Sequence, residues 1–143
     1  AGDFVLREGR RPLAFITAGV GITPALPMLH EALRSGREVR FIHFARHGGV
    51  HAFREHLDGL AASHAQLQRF YCYSEPRDGD ASHATGFVSQ ALLEAWLPEE
   101  RDLDAYFLGP RPFMRAVKQY LRELGVPEQQ CHHEFFGPAA ALE

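Results

Sequence analysis

Two short glycine-bearing stretches hold the residue types from which a phosphate cradle is made. The first is Thr17-Ala18-Gly19-Val20-Gly21-Ile22-Thr23-Pro24; the second, about 90 residues downstream, is Leu108-Gly109-Pro110-Arg111-Pro112-Phe113-Met114. Glycine lets the backbone approach a pyrophosphate closely, and a helix starting just behind it offers free N–H groups and a positive dipole end. By itself a Gly-x-Gly turn is also an ordinary strand-to-helix connection, and the third glycine of the common dinucleotide fingerprint is missing here. Two such turns at neighbouring strand ends are a stronger sign. Open α/β sheets bind ligands outside the carboxyl ends of their strands, where the winding reverses.

The elements that must position these turns follow a repeating pattern of a short apolar, β-rich run and then an amphipathic segment. Strands are expected over 13–17, 39–44, 67–74, 105–108 and about 132–136, and helices over about 24–35, 50–62, 88–96 and 112–124. Thr23 reads as the N-cap of the first helix, Pro24 as its first residue and Pro27 as part of its first turn. Phe53, Leu57 and Leu60 read as the buried face of the second helix, and 75–85 as a polar loop. The fold class is therefore α/β. A doubly wound, five-stranded parallel sheet in the order 3-2-1-4-5, with helices on both faces, occupies one domain over 1–143. Strands one and four are then neighbours, which brings both glycine turns to one crevice.

Composition narrows the partners. The 143 residues are 45% hydrophobic and 23% charged, with a net charge of −3. That balance suits one globular domain and supplies no basic surface for nucleic acid or an anionic membrane. No apolar run approaches the ~18–20 residues of a bilayer span. Cys72 and Cys131 lie far apart in apolar segments, which points to a reducing compartment, the cytoplasm. The nine histidines read mostly as surface residues. His43, His47 and His51 fall on a strand, a turn and a helix start, and a strand sends successive members of Cys131-His132-His133-Glu134 to opposite faces. No metal site is expected. No serine lies on a nucleophile elbow, and no carboxylate pair has a hydrolase setting.

Gly19-Val20-Gly21-Ile22-Thr23-Pro24 resembles the G-x-G-x-T-P turn of the ferredoxin–NADP reductase family. Gly109-Pro110 with Phe113-Met114 resembles that family's Cys-Gly-Pro segment and its downstream methionine. Within the family, three stretches are similar to flavohaemoglobins: Ala1-Gly2-Asp3-Phe4, Arg46-His47-Gly48-Gly49-Val50-His51-Ala52-Phe53, and His132-His133-Glu134-Phe135-Phe136-Gly137-Pro138. The resemblance implies that Gly19, Val20, Gly21, Ile22, Thr23 and Pro24 line the path of the pyrophosphate and nicotinamide ribose. It places Gly109 and Pro110 on the opposite lip, with Phe113 and Met114 packed behind. Phe136 and Glu134 would lie at the reaction centre near a flavin. Leu108 stands where the family usually has a cysteine beside the hydride-donating carbon, a change that removes a sulfur.

Cofactor choice has a physical reading too. NADPH-using relatives follow the third strand with a Ser-Arg pair that grips the 2′-phosphate, whereas Ser74-Glu75 stands here. A carboxylate there repels a phosphate and accepts hydrogen bonds from a free ribose diol, so NADH (as NAD+ when oxidised) is expected. Arg46 and Arg77 remain possible phosphate partners. The resemblance further implies a fragment of a longer protein whose FAD-binding and globin domains lie elsewhere in the parent chain. FAD and haem would belong only to that intact parent, which would turn NO and O2 into nitrate. The alternatives are a reductase arm serving an oxygenase or iron–sulfur chain, and a non-enzymatic nucleotide-binding domain. The start at Ala1 is read as the mark of an excised piece, and Leu142-Glu143 as a cloning scar.

Overall fold

The computed structural model describes residues 4–133. Strands β1 (Leu13–Ala18), β2 (Val39–Ala45), β3 (Leu67–Tyr73), β4 (Ala84–Thr85), β5 (Asp104–Leu108) and β6 (Cys131–His133) form one sheet. Their order is β4-β3-β2-β1-β5-β6, with every pair parallel. Helices α1 (Ile22–Arg34), α2 (Arg54–Ser63), α3 (Gln90–Trp96) and α4 (Arg111–Glu123) connect the strands. Both faces of the sheet are covered, which is why the strands read as nearly continuous apolar runs. Leu13, Phe15, Val39, Phe41 and Tyr71 pack with α1 and α2 on one face. Ala14, Ile16, Ile42, Phe44 and Phe107 pack with α3 and α4 on the other.

The α/β class, the doubly wound plan and the relative order of the five longer strands are those read from the sequence. The strand count is not, because a sixth strand pairs Ala84–Thr85 with Cys72 and Tyr73 at the sheet edge. Two residues inside a polar loop are too short to show any period.

Helix starts also moved. A 3-10 turn over Gly19–Gly21 leads into α1, whose N-cap is Gly21, with no side-chain cap. Thr23 is therefore not the cap. Pro27 lies inside the helix, beyond the first turn, where its missing N–H leaves the Thr23 carbonyl without its helical partner. Helix α2 begins at Arg54 rather than near Val50, because Phe53 adopts a left-handed conformation (φ +63°) that ends any helical continuation from the 3-10 turn at Gly48–Val50. Phe53 is consequently 47% exposed and does not share the buried face of Leu57.

Most of the nine histidines reach the surface, but three do not. His43, His47 and His51 are all buried. His43 and His51, on a strand and a loop, bring their ring centroids to 4.6 Å. At the opposite, amino-terminal end of the sheet, buried Arg37 pairs with buried Asp104 at 3.2 Å. That pair ties the start of β5 to the turn before β2.

Candidate functional site

Strand register decides where the two glycine turns go. Thr17 of β1 lies opposite Leu108 of β5, so the next residues of each strand emerge side by side. Their contact is tight. A Cβ added at Gly21 would stand 2.6 Å from the Leu108 carbonyl carbon and 3.0 Å from the Gly109 nitrogen, and closer still to the Leu108 oxygen. One at Gly109 would stand 2.7 Å from the Phe113 ring and 3.1 Å from Ala18 Cβ. Gly19, in contrast, has open space around it and is glycine for its backbone, at φ +56°.

Above this junction opens a cavity of about 750 Å3, lined among others by Gly19, Val20, Ile22, Thr23, Arg46, Ser74, Pro110 and Phe113. Its size is in the usual range for a small-molecule site (~300–1,000 Å3). Sequence-expected residues from four separate segments thus meet at the carboxyl ends of β1, β2, β3 and β5. Gly21 and Gly109 form the floor below them. The first turn of α1 holds no acidic residue, so its positive end faces the cavity unneutralised. A dinucleotide fits these features: glycine at both points of closest backbone approach, a helix N-terminus for phosphate, and apolar walls for the rings.

The other expected residues sit differently. Leu108 is fully buried with the core beneath α1, outside the cavity lining, and contributes the carbonyl against which Gly21 packs. Met114 is fully buried in the core on the α4 side, and Pro24 lies in the first turn of α1 outside the lining. Glu75 reaches Arg46 at 3.4 Å on the rim, both side chains being about two-thirds exposed. Phe136 and Glu134 lie outside the described residues. The sequence reading overlooked Phe44 and the segment Gly86–Val88, which complete the walls. Phe44 packs edge-on against Phe113 at 5.5 Å. Phe87 is 79% exposed at the mouth, where a large apolar side chain left in solvent marks a binding surface.

The loop that follows β3 is tied to the turn after β2 by Asp80. Its carboxylate accepts from the Gly48 amide at 3.1 Å and the Arg77 amide at 2.7 Å, and these bonds hold its pKa below the ordinary carboxylate value. A side chain at Gly48 would displace the Asp80 carboxylate, which fills that space. Asp80→Ala is expected to quicken hydrogen exchange at the Gly48 and Arg77 amides at least several-fold, measured residue by residue by NMR. Unchanged rates would show that the loop holds itself without the carboxylate.

Beneath the β1 and β2 ends runs a buried polar network. Thr17 Oγ1 and His43 Nδ1 are 2.7 Å apart, and His51 Nδ1 lies 2.7 Å from the Tyr73 hydroxyl, which also accepts from Arg54. Burial, then the neighbouring His51, pushes the His43 pKa down to about 3. Burial, then Arg54, pushes that of His51 down to about 4. Both rings are neutral at pH 7.

Comparison with known proteins agrees with this geometry. Residues 15–119 match the model of the oxidoreductase NAD-binding domain family. The flavohemoprotein of Pseudomonas aeruginosa is 66% identical over the whole chain, which covers 36% of that protein, and the one from Pseudomonas putida is 64% identical with the same coverage. The chain thus spans about a third of the length of these curated relatives. Among solved structures, the flavohaem-like FAD/NAD-binding domain of nitric oxide dioxygenase from Vibrio cholerae superposes with a TM-score of 0.84 at 33% identity. That match covers 96% of this chain and 56% of the other. Among the described residues, no helix is long and apolar enough to cross a membrane.

Proposed function

The chain belongs to the oxidoreductase NAD-binding domain family, and from that premise we propose that it is the NADH-binding, C-terminal part of a flavohaemoprotein. The observation that supports this reading most is the packing of Gly21 against the Leu108–Gly109 peptide, which makes one site of two distant turns. Gly19 to Thr23 and the N-terminus of α1 receive the pyrophosphate. Pro110 and Phe113 wall the nicotinamide end, and Ser74, Glu75 and Arg46 stand at the adenosine end. When bound, the nicotinamide supplies a hydride to FAD of an adjoining domain in the parent chain. In the parent chain those electrons would serve a globin haem, for conversion of NO and O2 to nitrate in the cytoplasm. This chain's own residues bind and orient the carrier.

Titrating the chain with NADH by calorimetry tests the reading: saturable one-to-one binding, tighter than NADPH, is expected. No saturable heat with either carrier would overturn it. Glu75 sets the preference for NADH, although its ion pair with exposed Arg46 weakens the repulsion it exerts. Glu75→Arg is expected to raise NADPH affinity relative to NADH by roughly tenfold or more, since a charge-assisted hydrogen bond contributes ~1.5–3 kcal/mol. An unchanged ratio would move the selectivity away from this position.

A further inference from the structure

We propose that His30 and His56 form a site for a borderline divalent cation of the Zn2+, Ni2+ and Cu2+ class, bridging α1 and α2 away from the cofactor cavity. His30 sits in the third turn of α1, and His56 in the first turn of α2. The two helices cover the same face of the sheet, with Leu29 and Leu33 of one and Leu57 and Leu60 of the other in a common core. That packing aims the two imidazoles at each other at the solvent-exposed surface. Their Nε2 atoms are 3.0 Å apart and the ring centroids 5.0 Å apart.

The nitrogen spacing is that of a hydrogen bond between the rings, and it also matches two ligands of one metal. Two Zn–N bonds of ~2.0–2.1 Å meeting at a right angle put their nitrogens ~3.0 Å apart, and a tetrahedral angle puts them ~3.4 Å apart. The first value is the observed one, and the second needs only a small rotation of exposed side chains. Without metal, one ring must donate its Nε2–H to the lone pair of the other. With metal, that ring carries its proton on Nδ1 instead, so both Nε2 lone pairs face the ion and no proton leaves the pair. Among the described residues, no group of three or more His, Cys, Asp or Glu side chains is placed to hold a metal, so water completes the coordination shell. Two imidazoles and water suit Zn2+, Ni2+ and Cu2+, and offer little to Mg2+ or Ca2+, which prefer carboxylate and carbonyl oxygens.

The experiment is a calorimetric titration of the chain with ZnCl2 at pH 7.5, with MgCl2 alongside, on wild type, His30→Gln, His56→Gln and the double variant. Saturable binding of one Zn2+ per chain is expected, weakened roughly tenfold or more by either single substitution, because losing a direct ligand costs at least as much as losing its outer support. The double variant should bind no tighter than either single, and Mg2+ should give no saturable heat. A second readout is thermal unfolding: Zn2+ should raise the midpoint of wild type and leave both single variants unmoved. Wild type without saturable Zn2+ binding, or both single variants binding as wild type does, would overturn the proposal. The residues are at the surface, so the variants keep their fold, and NADH binding by each variant checks that independently.

Discussion

Gly21→Ala is expected to weaken NADH binding by roughly tenfold to a hundredfold and to lower stability, while Gly19→Asn, two residues away, leaves stability nearly intact. The difference comes from what each glycine is for. Gly21 has ordinary helical angles (φ −62°, ψ −13°), so alanine meets no backbone objection there. Its methyl group would instead stand 2.6 Å from the Leu108 carbonyl carbon and 3.0 Å from the Gly109 nitrogen. Those are backbone atoms of a central strand end and cannot rotate aside. Start of α1 and end of β5 must therefore separate, and overpacking of this kind costs about 1–3 kcal/mol. Because the same contact holds the two turns in register, much of that cost falls on the bound state, at 1.4 kcal/mol per factor of ten. Gly19 has the opposite character, with a left-handed φ of +56° and open space around it. Asparagine tolerates that conformation better than other residues with a side chain, so the backbone can stay where it is. Fluorescence or calorimetric titration with NADH measures both variants, and chemical denaturation confirms that each is folded. A folded Gly21→Ala chain that binds NADH within twofold of wild type would remove the claim that this packing makes the site.

Those two glycines also show why the site was legible in the sequence and where legibility stopped. A glycine turn after a β-rich run and before an amphipathic helix is local, and the strand order that joins two of them follows from right-handed crossovers. Gly19, Val20, Ile22, Thr23, Arg46, Ser74, Pro110 and Phe113 all line one cavity. Leu108 did not, because strand alternation turns its side chain into the core and leaves only its carbonyl beneath the site. Phe87 and β4 were missed because a two-residue edge strand has no period, and nothing local says that the loop after it folds back over the mouth. Phe53 hid a different kind of information. Its left-handed backbone delays α2 to Arg54, and a β-favouring aromatic gives no warning of that conformation. The shift matters to function, since it leaves Val50 and Ala52 on the cavity wall rather than inside a helix.

Three histidines depart from the surface reading, and two of them give the second strong prediction: the chain loses stability steeply as pH falls below about 6.5. Spacing alone put His43, His47 and His51 on unrelated elements, so they read as surface residues. Tertiary packing instead buries His43 completely and sets His51 against it. Buried imidazoles that cannot charge have native pKa values near 3 and 4, whereas the unfolded chain protonates both near 6.5. Between pH 6.5 and 4 the unfolded state thus binds protons that the native state refuses, so stability must fall as pH falls. With both histidines in that window the slope approaches about 2.7 kcal/mol per pH unit, twice the value for one group. Below pH 4 His51 begins to charge in the native state, and its share of the slope fades first. A domain with the usual ~5–15 kcal/mol in hand cannot sustain that slope far below pH 5. Denaturant titrations at pH 7.0, 6.0 and 5.0 measure it. Replacing His43 with asparagine, which keeps a polar group near Thr17 but does not titrate, should cut the slope by about half. A wild-type stability flat from pH 7 to 5 would mean that water or structural relaxation lets these rings charge in place. In that case the dry, closely packed layer under the β1 and β2 ends, on which the floor of the cavity rests, does not exist as described.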